Sequence, residues 1–299
     1  MMAMRLIFIL FALVALGALG CRNYETPTTH SSAPTVTNYD ARGVVIRLEP
    51  DGHTLVIRHE DIPNYMRSMT MPFVVRDART VLGVQPGNLV AFRLLVTAHD
   101  AWIDSLRILE TNAPPLDRPT ARVVREVKPL SEGDVLPEYQ FTNELGRAVS
   151  LQDYRGEVVA FTFFFTSCPY PLFCPKMSMN FQETEEVLSH EMDAPKKWHL
   201  FSISFDPETD SPPVLKSYAR RYNYDPVHWS FLTGALIDIT AIGEQFGLSF
   251  WRESGSITHN LRTVVIDPQG RVYKIMPSNE WTGRQLADAM KQAAKPGTN

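Results

Sequence analysis

Sulfur is concentrated at two places in this chain, and both suit a soft metal ion. Three of its eleven methionines, Met66, Met69 and Met71, fall within six residues of the segment His59-Glu-Asp-Ile-Pro-Asn-Tyr-Met-Arg-Ser-Met-Thr-Met-Pro-Phe73. Met69 and Met71 are two apart in a stretch that reads as a strand, so their side chains share one face. A thioether is a poor ligand for most ions and selects Cu(I) or Ag(I), and a Met/His set holds Cu(I) without a thiol that oxygen could oxidise. The second place is Cys168-Pro-Tyr-Pro-Leu-Phe-Cys174-Pro175, two thiols with five residues between them. Such a pair is a disulfide, a metal site, or both in alternation.

The elements that must position these groups follow from the pattern. Short β segments fill 39–110: Gly43–Leu48, Thr54–Arg58, Met69–Val75, Leu89–Leu95 and Trp102–Leu109, five strands that suggest a small closed OB-like barrel. A proline-bearing stretch, 111–130, reads as a semi-rigid linker. Strands and helices then alternate through 131–295, as in an α/β sheet. Val158–Phe165 is a continuous apolar strand and Leu200–Phe205 and Arg262–Asp267 are further strands. Helices are expected from about Pro175 to His190, over Pro212–Tyr222 and Ile237–Phe246, and at the end over Gly283–Ala294. Pro175 suits a first helical position, which puts Cys174 at or beside the N-cap, where the helix dipole favours a thiolate.

Residues 1–20 read as an export signal: Arg5, an apolar run from Leu6 to Leu16 too short to span a bilayer, then small residues before Cys21. Ala18-Leu19-Gly20-Cys21 resembles a bacterial lipobox, which implies cleavage before Cys21 and lipidation of it. The expected location is the periplasm-facing cell envelope, anchored at the outer or inner membrane, with 21–38 as a tether. With a net charge of −4 and no basic stripe, the chain gives no sign of binding nucleic acid.

A strand running into a Cys loop and then a helix is the thioredoxin arrangement, although a plain thioredoxin uses C-x-x-C. FTSCPYPLFCPKMSMNF, FSISFDPETDSPPVLKSYARRY and ITHNLRTVVIDPQGRVY together resemble the Sco/SenC family of copper metallochaperones. Family members typically show C-x-x-x-C-P, so this loop is two residues longer. The resemblance implies a thioredoxin-like fold and copper held by Cys168, Cys174 and His259, a thiolate and imidazole set that suits Cu(I) and also takes Cu(II). Thr258-His259-Asn260-Leu261 lacks the proline that thioredoxins carry before this strand. Asp206 resembles a family carboxylate position, with helix or turn capping as the plainer reading. Met177 and Met179 read as packing residues.

The segment 39–110 is similar to CusF-type periplasmic copper-binding domains, whose M-T-M strand and upstream His hold Cu(I). The implied ligands are His59, Met69 and Met71, with Met66 in place of the Trp that caps the metal in the founding branch. Together the resemblances imply a metallochaperone that captures Cu(I) and delivers it to a respiratory acceptor such as the Cu-A centre of cytochrome c oxidase, itself supplied by a copper donor. Two alternatives stay open: a thiol–disulfide reductase using Cys168 and Cys174, and a copper-sequestering resistance protein.

Overall fold

A computed structural model describes residues 35–111, 127–253 and 256–295. The signal, Cys21 and nearly all of the expected tether and linker lie outside the described residues.

The first sheet is the order β3-β2-β1-β4-β5, from β1 (Thr37–Leu48), β2 (Thr54–His59), β3 (Met69–Val74), β4 (Leu89–Val96) and β5 (Ala101–Glu110). Its neighbours are antiparallel throughout, and a bridge between Val75 and Ile103 brings the β3 end to β5, so the sheet curls into a small barrel. Leu55, Ile57, Phe73, Val90, Leu94 and Ile103 fill its interior. Strand β1 starts at Thr37, inside the expected tether, because Thr37 and Asn38 pair with Val96 and Leu95. These polar, exposed residues are held by the ladder alone, without the apolar alternation from which a strand is read.

The second sheet has the order β14-β13-β8-β9-β10-β6-β7. Its strands are β6 (Gln140–Asn143), β7 (Ala148–Ser150), β8 (Val158–Phe164), β9 (Trp198–Ser204), β10 (Trp229–Thr233), β13 (Thr263–Ile266) and β14 (Val272–Met276). The central β8, β9 and β10 run parallel and are buried on both faces, which is why β8 reads as a continuous apolar run. Helices α1 (Cys174–His190), α2 (Pro212–Ala219), α3 (Leu236–Gln245) and α4 (Gly283–Ala293) cover them, giving the α/β thioredoxin-like layer expected. Pro212–Tyr222 divides into α2 and a 3₁₀ turn over Arg220–Tyr222. A separate hairpin, β11 (Phe250–Glu253) with β12 (Ser256–His259), carries His259.

Candidate metal centre

Cys168 lies in the turn that follows β8 (which ends at Phe164), and Cys174 opens α1 with Phe173 as its N-cap. Pro175 therefore occupies the second helical position, one later than the sequence suggests, where a missing N–H is still harmless. Asp210 fixes the approach to the loop: its carboxylate accepts from the Thr166 amide at 3.0 Å and from Ser204 Oγ at 2.6 Å. That clamp ties the ends of β8 and β9 together. Asn279 braces the far side, donating to the Leu172 carbonyl at 2.5 Å.

The register of β11 against β12 places His259 opposite Phe250 at the hairpin's base. Arg252 on β11 pairs with the buried Asp206 and reaches Glu208 at 3.1 Å, so the hairpin is pinned to the loop after β9. Asp206 thus acts through β11, the strand paired with the one that carries His259, rather than as a cap. The imidazole itself sits among Phe165, Phe173 and Phe205, at centroid separations of 5.7, 5.3 and 4.8 Å.

This scaffold brings the sulfurs of Cys168 and Cys174 and a ring nitrogen of His259 within 4.8 Å of one another. The cysteines are free thiols, so a disulfide would be the pair's other redox state. Which sulfur carries the charge differs from the helix-dipole expectation. Burial opposes ionisation of Cys168, but the hydrogen bond from Cys174, with the His259 ring beside it, outweighs burial and holds this thiol well below the usual range. Burial, reinforced by the neighbouring Cys168 sulfur, pushes Cys174 well above it. Cys174 is fully enclosed at the start of α1, and the dipole there does not compensate for lost water.

The barrel holds a second donor group. His59 lies opposite Met69 in the β2–β3 ladder, and Met71 lies opposite Ile57 on the same face. Met66 is returned toward this end by a tight turn in which Ile62 and Met66 bridge. All four side chains are buried. Gly43 of β1, opposite His59, leaves the space that the imidazole strand needs.

One device recurs at both histidines. His59 Nδ1 is 2.7 Å from the Glu60 carbonyl, and His259 Nδ1 is 2.8 Å from the Asn260 carbonyl. A carbonyl only accepts, so Nδ1 bears the proton in each ring and Nε2 presents a lone pair. Both Nε2 atoms are buried without a hydrogen-bond partner. A buried unpaired acceptor costs about 1–3 kcal/mol, and coordination to a soft ion would satisfy it. Burial also keeps His59 neutral, the form that binds metal. The donor chemistry therefore fits copper at both places.

Sequence reasoning did not anticipate Tyr170. Its ring is buried and meets Phe73 of the barrel at 5.9 Å and Phe173 at 5.3 Å. Burial pushes its hydroxyl upward, and the barrel groups Tyr65 and Asp100 add to that. An aromatic residue between two prolines in a Cys loop was the available signal.

A thioredoxin-like sheet with two thiols and an imidazole at the strand-to-helix turn, joined to a small barrel bearing His and Met donors, defines a copper-binding protein of the thioredoxin class. The SCO1/SenC family model matches residues 127–295, more than half of the sequence, and this chain belongs to that family. Residues 38–108 match the model described as copper binding periplasmic protein CusF. The chain is 30% identical over 145 residues to the SCO1 protein homolog of Bacillus subtilis, covering 46% of this chain and 70% of that one. A SCO2-like protein of Rickettsia felis is 26% identical over 147 residues, covering 46% and 66%. Among solved structures, a SCO1/SenC family lipoprotein from Bacillus anthracis is 28% identical with a TM-score of 0.49, covering 55% of this chain and 96% of that one. Copper is the metal that this chain binds. Among the described residues, no helix is long and apolar enough to cross a membrane.

Proposed function

We propose that this chain is a copper metallochaperone of the bacterial cell envelope. The barrel captures Cu(I) with His59, Met69 and Met71, with Met66 as a weaker fourth donor. The Cys168, Cys174 and His259 set then delivers it to a respiratory acceptor, the Cu-A centre of cytochrome c oxidase being the proposed one. Lipidation at Cys21 would hold the protein at the membrane, facing the periplasm. The observation that carries this reading is the convergence of two thiol sulfurs and an imidazole nitrogen within 4.8 Å. That set matches a soft monovalent ion better than a harder one.

Anaerobic Cu(I) titration of the full chain against a chromogenic chelator tests it. Two equivalents should bind in the wild type, and one each in Cys168→Ser/Cys174→Ser and in Met69→Ala/Met71→Ala. Binding of no equivalent by either donor set ends the proposal. The unequal acidity of the two thiols favours one second reading, a thiol–disulfide reductase. In that case reductase activity would survive His259→Ala, whereas copper binding at the cysteine site would not.

A further inference from the structure

Contacts between the barrel and the thioredoxin-like sheet fall beside the donor residues on both sides. The Thr70 amide, between Met69 and Met71, donates to Oγ1 of Thr258, the neighbour of His259, at 3.0 Å. The Tyr65 hydroxyl, next to Met66, donates to the carbonyl of Pro169, next to Cys168, at 3.3 Å. Tyr65 is itself fixed by stacking on Tyr39 at 4.4 Å.

Between these contacts runs an unbroken series of rings. His59 meets Phe73 at 5.5 Å, Phe73 meets Tyr170 at 5.9 Å, Tyr170 meets Phe173 at 5.3 Å, and Phe173 meets His259 at 5.3 Å. A cleft of about 810 Å³ opens alongside, lined by Thr70 and Met71 from the barrel and by Tyr170, Thr258 and His259 from the other domain. One cavity therefore touches both donor sets.

Tyr170 is the centre of this arrangement. It is 2% exposed, although it stands in the middle of a loop between two cysteines. Part of its cover is Phe73 of the barrel. Large rigid aromatic side chains seated in a partner's surface are the usual energetic anchors of an interface. The loop's five residues between the cysteines, two more than its family typically has, supply the reach.

We propose that the enlarged cysteine loop is a docking plug: Tyr170, seated against the barrel, holds the two donor sets across one cleft, so that each domain is the other's copper partner within a single molecule. This rests on the metallochaperone reading above. The transfer is ligand exchange. The bonds from Cu(I) to the thioethers and to His59 Nε2 break, and bonds to the sulfurs of Cys168 and Cys174 and to His259 Nε2 form. The Cys174 thiol proton leaves to water in the cleft, and no electron moves. Tethering alone gives an effective concentration of about 1 mM, so transfer in one molecule exceeds transfer between molecules by about 100-fold at 10 μM protein.

The test mixes two full-length chains under anaerobic conditions. The donor carries Cys168→Ser/Cys174→Ser and Cu(I) on its barrel; the acceptor carries Met69→Ala/Met71→Ala and free thiols. Arrival of copper is followed by thiolate-to-Cu(I) absorption. Because each chain's own domains occupy one another, exchange between chains is slow. Tyr170→Ala in both chains should speed it at least tenfold and enlarge the radius of gyration in X-ray scattering. Tyr170→Phe, which keeps the ring and removes a buried hydroxyl without a partner, should leave both unchanged.

Thr258→Val, which removes the acceptor for the Thr70 amide, gives a second handle if the alanine variant unfolds. Amide exchange along β3 should quicken there without loss of the fold. Equal exchange rates and equal radii for Tyr170→Ala and wild type would overturn the plug, as would unchanged β3 exchange in Thr258→Val. A donor chain that takes up no Cu(I) at all would show at the loading step, and it defeats the metallochaperone reading itself.

Discussion

Gly43 offers the sharpest test of the metal site proposed in the barrel. Its Cα stands opposite that of His59 in the β1–β2 ladder. A Cβ added there would lie 2.5 Å from the Arg58 carbonyl oxygen, 2.6 Å from Ile57 Cγ2 and 2.7 Å from His59 Cα. The Ile57 methyl can turn away, but the other two atoms are backbone. Relief to an ordinary contact of 3.4 Å moves β2 by about 0.7–0.9 Å at His59 itself. Overpacking of this kind costs about 1–3 kcal/mol, which lowers the melting temperature of Gly43→Ala by about 4–8 °C for a mid-range cost of about 2 kcal/mol.

The same movement exceeds the roughly 0.2 Å within which metal–ligand distances must fall. The Cu(I) affinity of the barrel should therefore drop about 10- to 100-fold, the range seen when the supports of a metal-bound histidine are removed. The cysteine site, on another sheet, keeps its affinity. Anaerobic competition with a chromogenic Cu(I) chelator resolves the two equivalents, and a thermal melt of the copper-free protein gives the stability. Wild-type affinity for both equivalents in Gly43→Ala, at any melting temperature, would refute the assignment of His59 as a donor held by this strand pair.

Two further outcomes follow from the charges. Cys168 should be alkylated by iodoacetamide well before Cys174 at neutral pH, as mass spectrometry of the modified peptides would read out, because the hydrogen bond from Cys174, with the His259 ring beside it, lowers the pKa of Cys168 while burial raises that of Cys174; first labelling at Cys174 would contradict it. Burial raises the Glu185 carboxyl from its ordinary 4.5 to about 7, so the folded state holds that proton to higher pH than the unfolded chain and stability falls as pH rises between those values. Discounted for partial solvent screening, the loss is about 2 kcal/mol, and urea midpoints at pH 5 and pH 8 should show it in wild type but not in Glu185→Gln.

Much of this architecture was legible because the relevant signals are local. The five barrel strands, the buried β8 and β9, and all four helices follow from periodicity and from prolines at helix starts. The short β6, β7 and β14 escaped, as did elements held by remote partners. β10, Trp-Ser-Phe-Leu-Thr, is too short and mixed to separate from a loop, yet it is buried between β9 and β6. The β11–β12 hairpin consists of two four-residue strands, and what holds it down is Arg252 reaching Asp206, 46 residues away. The dipole argument for Cys174 failed for a related reason. It weighed the helix end and not the enclosure, and Cys168 with His259 beside it took the charge instead. Gly43 and Tyr170 are ordinary in sequence; only the register of β1 on β2 and the meeting of two domains give them a role.

The two histidines show why such different folds can handle one ion. Each ring donates its Nδ1 hydrogen bond to the carbonyl of the very next residue, Glu60 or Asn260, so the tautomer is set by two consecutive residues. Nitrogen donation is then the same at both sites, and what distinguishes them is sulfur. The barrel offers neutral thioethers, whereas the cysteine loop offers a thiolate at Cys168 stabilised by its neighbours. A monovalent cation moving from the first to the second would exchange a neutral donor set for a charged one among largely buried groups, where Coulomb attraction is stronger than in bulk. On the proposed ligand sets, this difference favours the cysteines over the barrel. On the proposed function, oxidising the thiols to a disulfide would remove the charged donor set, and Cu(I) should then be found on the barrel methionines when the oxidised protein is titrated.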